Sequence, residues 1–109
     1  MANPLTARYG VPHGAAVGLM LPHVVRFNGE TCGGWYEELT LHADQGRWLA
    51  GFIGELLAAG RMPDRLQHHG VARDMLPQLA DEAAKQWTGT FNPRPVTQAE
   101  LLKLYETAY

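Results

Sequence analysis

The stretch that most constrains the fold runs from Gly14 to Val25 and contains no Asp, Glu, Lys or Arg. Tyr9-Gly10 ahead of it is a helix stop signal, because glycine can adopt the left-handed conformation that closes a helix. Pro12 suits the entrance of the next helix, where a missing backbone N–H costs nothing. A helix that is apolar on all sides is buried on all sides. The sequence therefore predicts a buried helix over residues 13–27, with His13 in its first turn.

The first half of the chain carries several further helix signals. Residues 1–8 form one or two helical turns at most. Pro22 should kink the central helix or break its hydrogen-bond ladder locally, and Asn28-Gly29 should close that helix. Residues 35–39 predict a short helix. Asp44 can cap the next helix, roughly residues 45–59, in which large apolar residues recur at the spacing of one helical face. They are Trp48, Leu49, Phe52, Ile53, Leu56 and Leu57.

The second half predicts two more helices and no strand. Gly70 should end a single turn around residues 62–66, and Asp74 can cap a helix over residues 75–87. Two prolines flank Arg94 and make residues 88–96 a loop. Thr97 and Glu100 form a capping box for the last helix. No alternating apolar pattern indicates a strand, so the sequence predicts an all-α bundle of about five helices in one domain, residues 1–109.

Composition excludes several classes of function. The chain has 46% hydrophobic and 18% charged residues, as an ordinary globular domain has. A net charge of −2 gives no electrostatic case for nucleic acid or an anionic membrane as a partner. The longest uncharged stretch is short and interrupted by glycine and proline, so no membrane span is expected. A single cysteine, Cys32, excludes an internal disulfide and suits the reducing cytoplasm. No glycine-rich phosphate loop follows a strand, so no nucleotide site is expected.

Three motifs together resemble the iron-containing alcohol dehydrogenases. They are a Pro-His-Gly turn, a Leu-Pro-His-Val helix and an Asn-Pro-Arg-Pro loop, at residues 12–14, 21–24 and 92–95. The resemblance covers both ends of the chain in the right order, with a diverged middle. It implies the C-terminal helical, metal-binding domain of such an enzyme, which transfers hydride between an alcohol carbon and NAD(P) with the help of Fe²⁺ or Zn²⁺. It also implies that the N-terminal dinucleotide-binding domain is absent and that a helix before Pro4 is cut off.

The resemblance also assigns candidate site residues. His13 matches a ligand of the catalytic metal, whose other ligands in the family, an Asp and two His residues, precede this segment. One histidine holds a metal poorly, so we expect neither metal nor NAD(P) to bind to this chain alone; alternatively, His13 caps or packs at the helix start. Asn3 stands where many members carry a histidine near the reacting carbon, or else is a frayed terminal residue. Thr88 and Phe91 match substrate-cavity positions, although Phe91 and Trp87 could simply pack the loop down.

Other polar residues favour structural roles. His23 follows Pro22 on the central helix and is expected to be a hydrogen-bonded core histidine. Arg94, between two prolines, is expected to donate to nearby carbonyl groups rather than to bind an anion. The remaining histidines, His42, His68 and His69, are expected on surface turns.

Two functions follow from these observations. The first is a fragment of an iron-dependent, NAD(P)-linked alcohol dehydrogenase that contributes one metal ligand and part of the substrate cavity and is inactive alone. The second is a small helical interaction module without enzymatic activity. Removal of a partner domain should leave an apolar face uncovered, and such faces drive association. We therefore expect a homodimer through that face.

Overall fold

The structure, a computed structural model, describes residues 1–109. It contains five α-helices, three short 3₁₀ turns and no strand, which confirms the all-α prediction. The helices are α1 (Ala2–Tyr9), α2 (His13–Thr40), α3 (Arg47–Ala59), α4 (Leu76–Ala84) and α5 (Gln98–Thr107), and the 3₁₀ turns span Leu66–His69, Arg73–Met75 and Trp87–Phe91. None of the helices is both long enough and apolar enough to cross a bilayer.

The main core brings together buried residues of α1, the first half of α2, α4 and α5. Helix α2 packs against α1 and α5, and α4 packs against α1 and α5. The connection between α3 and α4 adds two buried residues, Leu66 and Val71. The predicted inner face of α5 is confirmed, since Leu101, Leu104, Tyr105 and Ala108 are all buried. The predicted apolar face of α4 is buried as well, apart from Ala84.

The short helix α1 is held in place by residues from the other end of the chain. The hydroxyl of Tyr105 donates to the carbonyl oxygen of Met1 over 2.6 Å. The guanidinium of Arg8 forms a bidentate ion pair with the carboxylate of Glu82 on α4. Burial raises the pKa of the Tyr105 hydroxyl well above its usual value, so this hydroxyl stays a donor. As predicted, α1 ends at Gly10, which has the left-handed φ of 63°.

The central helix has three faces rather than a uniformly buried surface. One face packs into the main core, and a second faces α3. On the third face Val17 and Leu21 are 40% and 39% exposed. The prediction of burial on all sides is therefore wrong for this third face, because no other element of the chain covers it.

The central helix is also longer than predicted. It does not end at Asn28-Gly29 but continues to a kink at Cys32, whose φ is −115° and ψ 24°. Beyond the kink a second helical part, which contains the predicted short helix over residues 35–39, runs to Thr40, where Leu41 with a φ of 60° closes it. Its single non-helical residue is Cys32, so the backbone keeps helical angles at Pro22, where the sequence predicts a kink. Gly29 lies within the helix, and its lack of a side chain lets the backbone of Gln45 pass directly over it. A β-carbon built on Gly29 would overlap the carbonyl oxygen of Gln45.

The start of α3 differs from prediction by two residues. Gln45 has a φ of 58° and Gly46 a φ of 81°, so helical geometry begins only at Arg47. Asp44 nevertheless supports the helix start as a capping group, because its carboxylate accepts from the backbone N–H of Gly46 at 3.1 Å and of Trp48 at 2.6 Å.

The apolar residues of α3 split into two sets. Leu49, Ile53 and Leu57 are half-buried, and Ala50 is the one fully buried residue of the helix. The other three large apolar residues, Trp48, Phe52 and Leu56, are 43%, 42% and 56% exposed. We call these three residues the α3 stripe.

The boundaries of α4 also differ from prediction. A 3₁₀ turn precedes the helix, which begins at Leu76 without a side-chain cap, so Asp74 does not cap it. The helix ends at Ala84 rather than at Trp87. Trp87 instead begins the following 3₁₀ turn and is 71% exposed. The capping box of α5 is confirmed, with the backbone N–H of Thr97 donating to the Glu100 carboxylate over 2.8 Å.

Candidate functional site

An open groove of about 750 Å³ runs along the third face of α2. Val17, Leu21 and Val24 of α2 line one side, and the chain between α4 and α5 lines the other. Thirteen of its twenty lining residues are hydrophobic, and none carries an Asp, Glu, Lys, Arg or His side chain. Concave sites of this size, mostly apolar with a few polar groups, are typical of small-molecule sites.

The predicted cavity residues Thr88 and Phe91 both line this groove. Phe91 meets Trp87 edge to face, with ring centroids 5.6 Å apart. Both rings are more than 70% exposed, so they do not pack the loop down, and this alternative is wrong. The roles of Thr88 and Phe91 toward a substrate stay a prediction.

Arg94 anchors the loop between α4 and α5, which forms the wall of the groove opposite α2. Its guanidinium donates to the carbonyl oxygen of Phe27 over 2.6 Å and lies 3.7 Å from the centre of the Phe27 ring. It also pairs with the carboxylates of Glu30 at 2.8 Å and Glu100 at 3.3 Å. The expected structural role of Arg94 is therefore confirmed.

A pair of asparagine side chains makes a second link between the loop and α2. The amides of Asn28 and Asn92 donate to each other, each over 2.9 Å. Asn28 is only 3% exposed, and a buried amide needs such partners. The sequence does not predict this role, because Asn28-Gly29 has the composition of a helix stop. The one sequence feature that indicates it is the position of Asn28, a polar residue about one helical turn beyond the apolar stretch that ends at Val25.

His13 is the first residue of α2 and is exposed. No hydrogen bond or ion pair involves its side chain, so it does not cap the helix. Residues four and eight positions later share its helical face, so His13 lies on the face that continues through Val17 and Leu21. The chain contains no group of three or more His, Cys, Asp or Glu residues that could hold a metal ion. Its residues alone therefore do not fit a catalytic metal, which needs about three protein ligands.

Asn3 is ordered rather than frayed. It lies within α1, and its side-chain amide donates to the side-chain oxygen of Gln86 over 3.0 Å. Gln86 itself lines the groove. Asn3 therefore contacts a residue that lines the groove but does not line it itself, while His13 lies beyond the groove's end on α2.

The other histidines are scattered. Burial, together with the nearby charges of Arg26 and Arg65, lowers the pKa of His23 below 6.5. Its Nδ1 atom is buried without a hydrogen-bond partner, so the expectation of a fully hydrogen-bonded core histidine is wrong for this atom. His42 stacks on Trp48 with ring centroids 4.5 Å apart.

Comparison with known proteins decides the family. The sequence profile described as "Fe-containing alcohol dehydrogenase family, C-terminal" matches residues 1–109. The chain belongs to the iron-containing alcohol dehydrogenase family.

Relatives in the iron-containing alcohol dehydrogenase family are much longer than this chain. It is 31% identical to lactaldehyde reductase of Escherichia coli (strain K12), with 100% of the chain and 31% of that protein covered. It is 29% identical to 1,3-propanediol dehydrogenase of Citrobacter freundii, with the same coverage of both. A crystal structure of a 1,3-propanediol oxidoreductase superposes with a TM-score of 0.89 at 26% identity, covering 99% of the chain and 31% of its own. This likeness confirms the fold of the C-terminal helical domain.

Proposed function

We propose that this chain is the substrate-side helical part of an iron-dependent, NAD(P)-linked alcohol dehydrogenase and is inactive alone. The observation that carries the proposal is the shared face of α2. The candidate ligand His13 and the groove residues Val17 and Leu21 follow one another on that face. A substrate in the groove would therefore extend away from the end of α2 at which a metal held by His13 would lie.

Within this proposal, His13 supplies one ligand and residues outside this chain supply the others. The chain's own donor set does not fit a metal, so no chemical step is assigned to these 109 residues alone. Their contribution is to shape the groove and to hold its loop wall in place through Arg94. Asn3 cannot exchange a proton near neutral pH, so no proton relay passes through it.

A graft into a full-length relative tests this proposal. The chain would replace the matching segment of E. coli lactaldehyde reductase, and the metal content and NAD(P)-linked activity of the chimera would be measured. We expect a folded chimera that binds iron and oxidises an alcohol, and a His13→Ala chimera that loses both. His68→Ala is the matched control, because His68 is exposed on a distant turn.

Two results would overturn the assignment. One is a His13→Ala chimera that is folded by circular dichroism and keeps its full metal content. The other is NAD(P)-linked alcohol oxidation by the purified 109-residue chain itself, which would show that the chain is not inactive alone.

The α3 stripe supports a second candidate function, a self-associating helical module. Trp48 and Phe52 form parallel stacked rings with centroids 5.3 Å apart, continuing the stack from His42. The helix that carries them packs against α2 and leaves this stripe exposed. Contiguous exposed apolar residues favour association, so we propose a homodimer that buries the α3 stripe.

A further inference from the structure

A second pocket, of about 220 Å³, lies between α2 and α5, and we call it the α2–α5 pocket. Residues within 23–30 of α2 face residues within 100–107 of α5, each set at intervals of three and four positions along its helix. Arg94 of the loop completes the lining. Only two of the nine lining residues are hydrophobic, and these two, Phe27 and Leu104, are the only ones that also line the groove. The proposed function does not use this polar pocket.

Arg94 binds two carboxylates at one end of the α2–α5 pocket. Its guanidinium donates to Glu30 at 2.8 Å and to Glu100 at 3.3 Å. Because one guanidinium reaches both carboxylates, Glu30 and Glu100 lie at the same end of the pocket. From that end α2 runs toward lower residue numbers and α5 toward higher ones, so the two helices are antiparallel across the pocket. The charged groups at this end are therefore already paired within the chain.

Two cations lie about one helical turn beyond this paired end. Arg26 is four residues before Glu30, and Lys103 is three residues after Glu100. Ion pairs can form at such spacings, but here Arg94 holds both carboxylates. Neither the guanidinium of Arg26 nor the ammonium of Lys103 has a hydrogen-bond or ion-pair partner in the chain, although both line the pocket. The middle of the pocket thus carries one unpaired positive charge on each helix.

His23 and Thr107 form the far end of the α2–α5 pocket. Burial and the nearby positive charges of Arg26 and Arg65 lower the pKa of His23, so positive potential extends to this end. The imidazole of His23 is therefore neutral at pH 7, and its buried Nδ1 atom has no hydrogen-bond partner. A neutral imidazole still carries one N–H donor. The chain leaves that donor uncommitted beside two unpaired cations.

We propose that the α2–α5 pocket binds a small oxyanion of the phosphate type, with two negative charges. Arg26 and Lys103 hold the anion from the two helices through charge-assisted hydrogen bonds, and the imidazole of His23 donates a further one. The pocket is smaller than the roughly 300 Å³ at which sites for drug-sized ligands begin, so it accommodates a phosphoryl group rather than a whole nucleotide. Inorganic phosphate and the phosphoryl group of an organic phosphate share this chemistry. The proposal is independent of His13 and of any metal.

Nuclear magnetic resonance of the purified, ¹⁵N-labelled 109-residue chain tests the binding. The chain would be titrated with sodium phosphate at about pH 8, where phosphate is mainly a dianion, and sodium chloride would hold the ionic strength constant. We expect saturable shifts centred on residues 23–30 and 100–107. The pKa of His23 should be higher in phosphate than in chloride, because a bound anion favours the imidazolium.

A parallel titration with glycerol 3-phosphate distinguishes the two sources of the phosphoryl group. Tighter binding of inorganic phosphate would identify the free ion as the preferred ligand. Tighter binding of the ester would identify a phosphorylated organic molecule, whose remainder extends out of the pocket.

Matched variants locate the site. Arg26→Gln and Lys103→Gln should each weaken phosphate binding by at least about tenfold, because each removes a charged hydrogen-bond donor. Arg61→Gln is the control, since Arg61 is also an exposed, unpaired cation but does not line the pocket. It should change the affinity by less than about twofold, as expected for a screened distant charge. The two pocket variants lie on different helices, so one serves if the other fails to fold.

Absence of saturable shifts with both phosphates would overturn this inference. Equal weakening by Arg61→Gln and by the pocket variants would also overturn it, because binding would then depend only on net charge. Failure of the proposed function is separate, since it shows as a grafted enzyme that keeps its metal after His13→Ala.

Discussion

Substitution of Gly29 by alanine probes the close contact that lets the central helix continue past Asn28. The added methyl group would overlap the carbonyl oxygen of Gln45 and lie 3.0 Å from its carbonyl carbon. These are backbone atoms of a turn in which Gln45 already has a left-handed φ and the Asp44 carboxylate holds two N–H groups. The turn therefore has little freedom to move aside.

The size of the effect follows from two opposing contributions. Forcing a methyl group into a packed site costs about 1–3 kcal/mol, and more where backbone must move. Replacing a glycine inside a helix by alanine stabilises the helix by about 1 kcal/mol. We expect the overlap to dominate, so Gly29→Ala should lower the free energy of unfolding by about 2 kcal/mol.

Gly51→Ala is the matched control. Gly51 lies inside α3, is exposed, and has nothing within 4 Å of a built β-carbon. The same chemical change should therefore stabilise the protein by up to about 1 kcal/mol. Both variants would be unfolded in urea and followed by circular dichroism. If Gly29→Ala proves as stable as Gly51→Ala, the reasoning from the crossing of Gln45 over α2 is wrong.

Three further predictions address the loop, the buried histidine and the α3 stripe. Arg94→Lys should destabilise the protein by about 2 kcal/mol in urea unfolding, because one ammonium cannot replace the bonds to Phe27 and to two carboxylates; a loss below about 0.5 kcal/mol would contradict this role. Since burial lowers the pKa of folded His23 below the 6.5 of the unfolded chain, the unfolded state takes up the proton first, and stability should fall as the pH drops below that value. His23→Gln should flatten this fall in stability between about pH 7 and pH 5, while the control His68→Gln should leave it unchanged. Equal slopes of stability against pH in the unsubstituted chain and in both variants would refute the assignment of the fall to His23. Phe52→Glu should convert the dimer to a monomer in analytical ultracentrifugation, and an unchanged sedimentation coefficient would exclude the α3 stripe as the interface.

Features set by neighbouring residues were predictable from sequence. The stop at Gly10, the turn that ends at Gly70 and the capping box of α5 all depend on hydrogen bonds within a few residues. The structural role of Arg94 also followed, because flanking prolines exclude a helix and leave its side chain free to reach nearby carbonyl groups.

Features set by distant contacts were not predictable. Asn28-Gly29 has the composition of a helix end, yet the helix continues because Asn28 bonds Asn92 and Gln45 packs over Gly29. The exposed face of α2 was unpredictable for a similar reason. A run of apolar residues indicates what could be buried, but not whether another element of the chain covers it.

The hydrogen bond from the Tyr105 hydroxyl to the carbonyl oxygen of Met1 has a consequence for the order of folding. Its two residues are 104 positions apart, so almost the entire chain must close on itself before the bond forms, and contacts of such long range slow folding. During synthesis α1 is made before α4 and α5, so its anchors on those helices form only after both have emerged. Helix α1 therefore lacks these anchors until α5 has been made, and the core that the three helices share gains its full stability only then.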